Sequence, residues 1–136
     1  MTDNKYIFST EIKVRDYELD SEGIVNNAIY LHYLEWTRHE FCDMAGFPFG
    51  KMANEGIVPV ARRIEVDYYT PLRSGDIMVS SLWVERQGVR FIFHQDIFNK
   101  ATNERVVSAV VTIVSIENGR LGRGERFAEF FKPYLA

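Results

Sequence analysis

The segment Arg15-Asp16-Tyr17-Glu18-Leu19-Asp20-Ser21-Glu22-Gly23-Ile24-Val25-Asn26-Asn27 gathers acids, one glycine and paired asparagines directly before a long periodic stretch. Asp, Asn and Gly favour loops for local reasons, so a polar loop with a helix cap accounts for the composition. The same residues also suit a reaction centre. A helix start offers backbone N–H groups without partners and the positive end of a dipole. Such a terminus can stabilise a developing oxyanion, while a nearby carboxylate serves as base or nucleophile.

Other polar groups carry weaker signals. His32, Glu35 and His39 share one helix face, but no third His or Cys stands at ligand spacing, so a polar stripe and no metal is expected. Ser9, Ser21 and Cys42 show no nucleophile motif, and Cys42 is expected to pack. Gly119-Arg120-Leu121-Gly122-Arg123-Gly124 lacks the lysine and the strand-to-helix setting of a phosphate loop and is expected to turn.

The elements that must position the loop follow from periodicity. Tyr6 to Arg15 alternates and predicts a half-buried strand. Ile29 to Ala45 has helical period, with Tyr30, Leu34, Thr37, Phe41, Met44 and Ala45 on one stripe. Asn26 or Asn27 is the expected N-cap, and Gly46 the C′ residue. After Gly56 the period falls to two. Ile57 to Tyr69, Asp76 to Arg86, Val89 to Phe98 and Arg105 to Ile116 are strands by their Val, Ile, Phe, Tyr and Thr content. Asn118-Gly119 suits a tight hairpin. The tail from Glu125 to Leu135 fits a short helix or a final strand equally well. One long helix with about five strands predicts an α+β chain, a curved antiparallel sheet wrapped around that helix.

Composition narrows the function classes. The chain has 136 residues, 46% of them hydrophobic and 26% charged, and a formal net charge of −3. It is one globular domain over residues 1–136, not a disordered chain. A mildly acidic total gives no reason to expect nucleic acid. A single cysteine excludes an intrachain disulfide. The opening Met1-Thr2-Asp3-Asn4-Lys5 leads into no signal-type apolar stretch, and Ala109 to Ile116 is too short to cross a bilayer. A cytoplasmic protein with no membrane insertion is expected.

Asp20-Ser21-Glu22-Gly23-Ile24-Val25-Asn26-Asn27-Ala28-Ile29-Tyr30-Leu31-His32-Tyr33-Leu34-Glu35 resembles the signature of the hot-dog acyl-CoA thioesterases, more narrowly the 4-hydroxybenzoyl-CoA thioesterase-like group. Asp67-Tyr68-Tyr69-Thr70-Pro71-Leu72-Arg73-Ser74-Gly75-Asp76 resembles the strand-turn-strand segment of the same family. The likeness runs from about Phe8 to Phe131. It implies a hot-dog fold that dimerises by joining two sheets edge to edge and often forms tetramers. It implies Asp20 as the catalytic carboxylate, Gly23 in the substrate-binding loop, and the backbone N–H of Asn27 as the donor to the thioester oxygen. Glu35 is the runner-up acid, since some hot-dog thioesterases use a helix carboxylate. Tyr17, near Asp20 in sequence, is a candidate for orienting substrate or water, with packing the equal alternative.

The chain departs from common members at two places. Ile24 stands where many have His after the loop glycine, and Arg86-Gln87-Gly88-Val89-Arg90 is a thin version of the basic cluster some members use for coenzyme A. Arg86 and Arg90 are the candidates for its phosphates, because the guanidinium fork suits phosphate. The implied activity is hydrolysis of an acyl-CoA or acyl carrier protein thioester, with no cofactor beyond the coenzyme A of the substrate. The alternatives are a non-catalytic acyl-thioester binding protein and a hot-dog dehydratase. The dehydratase is disfavoured because those sites pair a His with an acid.

Overall fold

The computed structural model describes residues 5–136; the polar opening segment otherwise lies outside them. The elements follow in the order β1 (Phe8–Lys13), a 3-10 turn (Asp16–Glu18), α1 (Ile29–Met44), α2 (Phe49–Asn54), β2 (Ile57–Tyr68), β3 (Ile77–Gln87), β4 (Arg90–Asn99), β5 (Arg105–Glu117), the two-residue β6 (Arg120–Leu121) and α3 (Glu125–Phe131). The strands pair antiparallel in the spatial order β1-β3-β4-β5-β2, with β6 on β5. One long helix packs on this sheet, so the α+β expectation holds and the architecture is the hot-dog fold. The pairing ladder explains why. Alternation along β3, β4 and β5 sends Leu82, Val84, Phe91, Phe93, Val111 and Ile113 to the helix side, where all six are buried.

α1 begins and ends by different devices. Ala28, not an asparagine, holds the N-cap position and supplies no side-chain bond. Asn26 does the capping from two residues back, its Oδ1 accepting from the Ala28 N–H at 2.9 Å. The C-terminal end is a Schellman motif. Gly46, at φ +88°, donates to Asp43 O at 3.1 Å, and Phe47 donates to Cys42 O at 2.9 Å. Tyr30, Tyr33, Leu34, Thr37, Phe41 and Cys42 are the buried residues of α1, whereas Met44 is 44% exposed. Cys42 packs as expected, and burial pushes its thiol up to about 12.

α2 falls in a segment without a legible period. Six residues make fewer than two turns, too few to show an amphipathic pattern. The Pro48 carbonyl accepts from the Lys51 and Met52 N–H groups and starts the helix, which buries Met52. Gly56 then reverses the chain at φ +71°, under the Asn118 side chain, where a Cβ has no room.

The tail resolves as a helix. Phe127 and Phe131 lie one turn apart with stacked rings 5.6 Å between centroids, and Phe131 also meets Phe41 at 5.0 Å. The tail then reaches the sheet edge. β1 starts opposite Leu82, and Leu135 takes the next open place on β3 by a bridge to Val84.

Arg126 anchors α3 to the end of α2. Its Nε and Nη2 donate to the two carboxylate oxygens of Glu55 at 2.7 and 2.8 Å. This bidentate contact holds the Glu55 carboxyl below the usual carboxylate range. Its contribution to stability is therefore present above about pH 4.3, the ordinary glutamate value, and is lost as the pH falls through the lowered folded value. Glu55→Gln should lower the urea midpoint at pH 7, and the gap to wild type should close on acidification toward pH 3. A gap that stays constant across that range would show that the ion pair is not its source.

Candidate active site

The loop before α1 is a small hairpin. Leu19 bridges Val25, the Asp20 N–H donates to Ile24 O at 2.8 Å, and the Asn26 N–H donates to Glu18 O at 3.0 Å. Ser21-Glu22-Gly23 forms its tip, with Gly23 at φ +80°, a left-handed position that costs glycine nothing. Asp20 is half-buried at the base of this tip. Its Oδ1 accepts from the Glu22 N–H at 2.8 Å and, more weakly, from the Ile24 N–H at 3.4 Å. Among the described residues, its second carboxylate oxygen takes no hydrogen bond.

Asn27 follows on the returning arm. Its carbonyl accepts from the Tyr68 hydroxyl at 3.0 Å, which ties the helix start to the end of β2. Among the described residues the Asn27 N–H has no acceptor, while its neighbours Asn26 and Ala28 both do. That free donor borders a groove of about 210 Å³, walled by Tyr30, Tyr68, Tyr69 and Pro71. Tyr30 is fixed by the Leu72 N–H donating to its hydroxyl at 3.1 Å, and burial raises its phenol pKa above the ordinary value.

Glu18 is the residue that sequence reasoning missed. Lying among other loop acids, it carries no distinguishing signal, yet it is only 7% exposed. Its Oε1 accepts from the Tyr33 hydroxyl at 2.7 Å and from the Arg15 N–H at 2.8 Å, with the Arg15 guanidinium 3.6 Å from Oε2. Burial first, and the Glu18 carboxylate second, push the Tyr33 phenol far above its ordinary value. A buried carboxylate paired in this way locks the hairpin against α1.

The remaining candidates lie apart. Tyr17 is 79% exposed on the 3-10 turn. Glu35 is exposed two turns into α1 and lies 3.6 Å from His39. Arg86 is engaged within the fold, donating to Gly88 O, Arg123 O and Glu125 Oε1 at 2.9 to 3.0 Å. Arg90 lies on the outer sheet face, in a depression of about 280 Å³ that it shares with Arg62 and Arg63. A bulge between Ala61 and Arg63 inserts Arg62 and turns both β2 arginines toward Arg90. Neither Arg62 nor Arg90 has an ion-pair partner among the described residues; Arg63 is 3.4 Å from Glu65.

Comparison with known proteins follows the same lines. The chain is 37% identical over 109 residues to the chloroplastic acyl-acyl carrier protein thioesterase ATL2 of Arabidopsis thaliana, covering 79% of this chain and 58% of that one. The chain thus spans well under two-thirds of that relative. It is 32% identical over 109 residues to the long-chain acyl-CoA thioesterase FadM of Escherichia coli K12, covering 79% and 82% of the two chains. The crystal structure of protein AQ1494 from Aquifex aeolicus superimposes with a TM-score of 0.85 at 28% identity, covering 90% and 98%. The DHNA-CoA thioesterase of Staphylococcus aureus shares the fold at a TM-score of 0.84 and 22% identity, covering 92% and 88%. The thioesterase-like superfamily matches residues 14–134, from the end of β1 through α3, and the chain belongs to that superfamily.

Proposed function

We propose that the protein hydrolyses acyl thioesters, releasing a carboxylic acid and a thiol. The observation that carries this reading is the open Asn27 N–H at the start of α1, on the same hairpin as Asp20. The thioester oxygen accepts from that N–H, where the helix dipole favours developing negative charge. Asp20 supplies the carboxylate. Its oxygen free of the turn attacks the carbonyl carbon and expels the thiolate, leaving an acyl anhydride on Asp20 that water then hydrolyses to the acid, or it takes a proton from a water that attacks the carbonyl directly. Gly23 sets the turn that presents it. The names of the relatives, an acyl carrier protein thioesterase and an acyl-CoA thioesterase, support a thioester substrate on either carrier.

One observation favours a second reading. Asp20 Oδ1 already serves the turn, which is a structural use of the side chain and would suit a binding protein that does not turn over. The variants decide. Asp20→Asn should lower kcat on the order of 10²-fold with KM nearly kept, because the charge is needed mainly in the transition state. Glu35→Gln should cost much less. An unfolding midpoint close to wild type must accompany the lost rate. Near-normal turnover of Asp20→Asn would end the loop-carboxylate mechanism, and an inactive wild type on an acyl-CoA panel would favour the binding protein.

The Arg62–Arg63–Arg90 depression is the proposed phosphate contact of the carrier, with Arg86 committed to α3. Arg90→Ala should raise KM for acyl-CoA about threefold to tenfold, an effect that fades at high salt. A KM unchanged at low salt would remove Arg90 from binding.

The assembly is proposed as a homodimer, or a homotetramer built from it. β2 is a sheet edge of 12 residues, and Val58, Val60, Ile64 and Tyr68 on it are 39–54% exposed. An unpaired edge of that length and character invites a partner strand. Light scattering should give at least twice the 15.8 kDa chain mass, and a stable monomer at micromolar concentration would refute it. For cellular location, no helix among the described residues is long and apolar enough to cross a membrane, and the cytoplasm stays the expected place.

A further inference from the structure

The sheet has a second edge, and it stands open beside α1. β1 is the first strand in the sheet order and has a neighbouring strand on one side only. The Val14 N–H donates to Asp76 O at 2.9 Å and the Val14 carbonyl accepts from the Gly75 N–H at 3.2 Å, so the backbone of Val14 faces β3. The alternation of an antiparallel ladder turns Phe8, Thr10 and Ile12 the same way. It points the backbone N–H and C=O groups of Ser9, Glu11 and Lys13 away from the sheet. An edge of this kind is a template for a further strand.

α1 makes the edge into a groove. The helix runs back along β1: Phe41 meets Phe8 with 6.1 Å between ring centroids, and Thr37 bonds Ser80, the β3 partner of Thr10. His32, Trp36 and Glu40 recur every four residues and form one stripe. That stripe lines a cavity of about 340 Å³ together with residues 10–13, a consecutive run that makes the strand edge one of its walls. Trp36 is 53% exposed there, an aromatic ring without a cover.

The two ends of the groove carry opposite signs. Lys13, Arg15 and His32 line one end, where Glu18 is already held by the Tyr33 hydroxyl and the Arg15 N–H. Glu40 lines the groove beside Phe41, toward the other end. Neither Lys13 nor Glu40 has an ion-pair partner among the described residues, whereas Glu11 is paired with Lys100 at 2.9 Å.

We propose that this groove binds an extended segment of a partner protein as an added strand, antiparallel to β1, with residues in the order acidic, apolar, any, basic. The acid lies opposite Lys13. The apolar residue, opposite Ile12, points to the helix side and covers Trp36. The base, opposite Thr10, points to the same side and meets Glu40. Main-chain bonds supply the affinity, and the two charges fix register and direction. The groove shares no lining residue with the one at Asn27, so the proposal stands independently of the thioester reading.

The test is fluorescence anisotropy with a fluorescein-labelled, amidated peptide Thr-Glu-Leu-Thr-Lys-Val. The charge-swapped peptide Thr-Lys-Leu-Thr-Glu-Val should bind about tenfold more weakly, the scale of two pairs turned from attraction to repulsion. N-methylation of the central threonine, opposite Glu11, should weaken binding by about tenfold or more, because it removes a ladder bond and leaves an edge carbonyl without its donor. Trp36→Ser should weaken the first peptide about fivefold, through lost apolar cover. The double variant Lys13→Glu with Glu40→Lys should prefer the swapped peptide, a reversal that damage to the groove would not produce. Equal binding of the two peptides by wild type, no saturable binding up to millimolar peptide, or an unreversed preference in the double variant would overturn the proposal. Wild type that binds neither peptide, with Trp36→Ser of reduced oligomer mass, would overturn it by giving the groove to a second copy.

Discussion

One helix lies on a sheet wide enough to cover only part of it, and the rest of the molecule answers to that constraint. α1 packs chiefly against β1, β3 and α2. Its other flank faces β2 across a cleft. On the packed flank a polar lock, Thr37 against Ser80 at 2.7 Å, fixes the helix over β3. On the other flank the tyrosines of β2 and α1 stand edge to face, Tyr30 and Tyr68 at 5.6 Å, beside the groove at Asn27. The helix start is therefore exposed enough to meet a ligand, yet it must not fray. The Glu18–Tyr33 bond and the Tyr68 hydroxyl on the Asn27 carbonyl supply the rigidity that the missing half of the packing does not.

The strands were legible because one face of the sheet is buried. A period of two is enforced wherever a one-residue slip would turn the apolar set to water. β2, β3, β4 and β5 accordingly begin and end within one residue of the alternating runs. α1 was legible for the parallel reason, apart from Met44, which keeps the helical spacing but is exposed. The cap was misassigned by sequence because Asn26 acts through its side chain from outside the helix, and propensity alone does not separate those two placements. Most of the site geometry was illegible. The acid that matters to the hairpin, Glu18, is one of several in its segment, and only burial distinguishes it.

Charge is distributed by function more than by total. Two arginines at α3 are satisfied. Arg86 meets Glu125, and Arg126 meets Glu55 and Glu129. Those contacts fasten the terminal helix over an aromatic cluster built on Phe41, Phe91 and Phe131. Arg62 and Arg90 face outward from the sheet, and Arg38 faces inward from the helix, without such pairs. Among the described residues these three are cations without an ion-pair partner, in a chain whose net charge is −3.

The strand order also governs how the chain acquires its structure. Both edges of the sheet, β1 and β2, come from the first half of the sequence, while the centre, β3-β4-β5, comes from the second. Neither edge strand pairs with the other, so the amino-terminal half emerges from the ribosome with no ladder to join. The β3-β4-β5 meander closes through short connections and can assemble on its own schedule. β1 and β2 must then add from a distance, with the loop-closure cost that long-range pairing carries. Until synthesis passes β3, the apolar stripe of α1 has no ladder to lie on, and this interval is when the nascent chain most needs a chaperone.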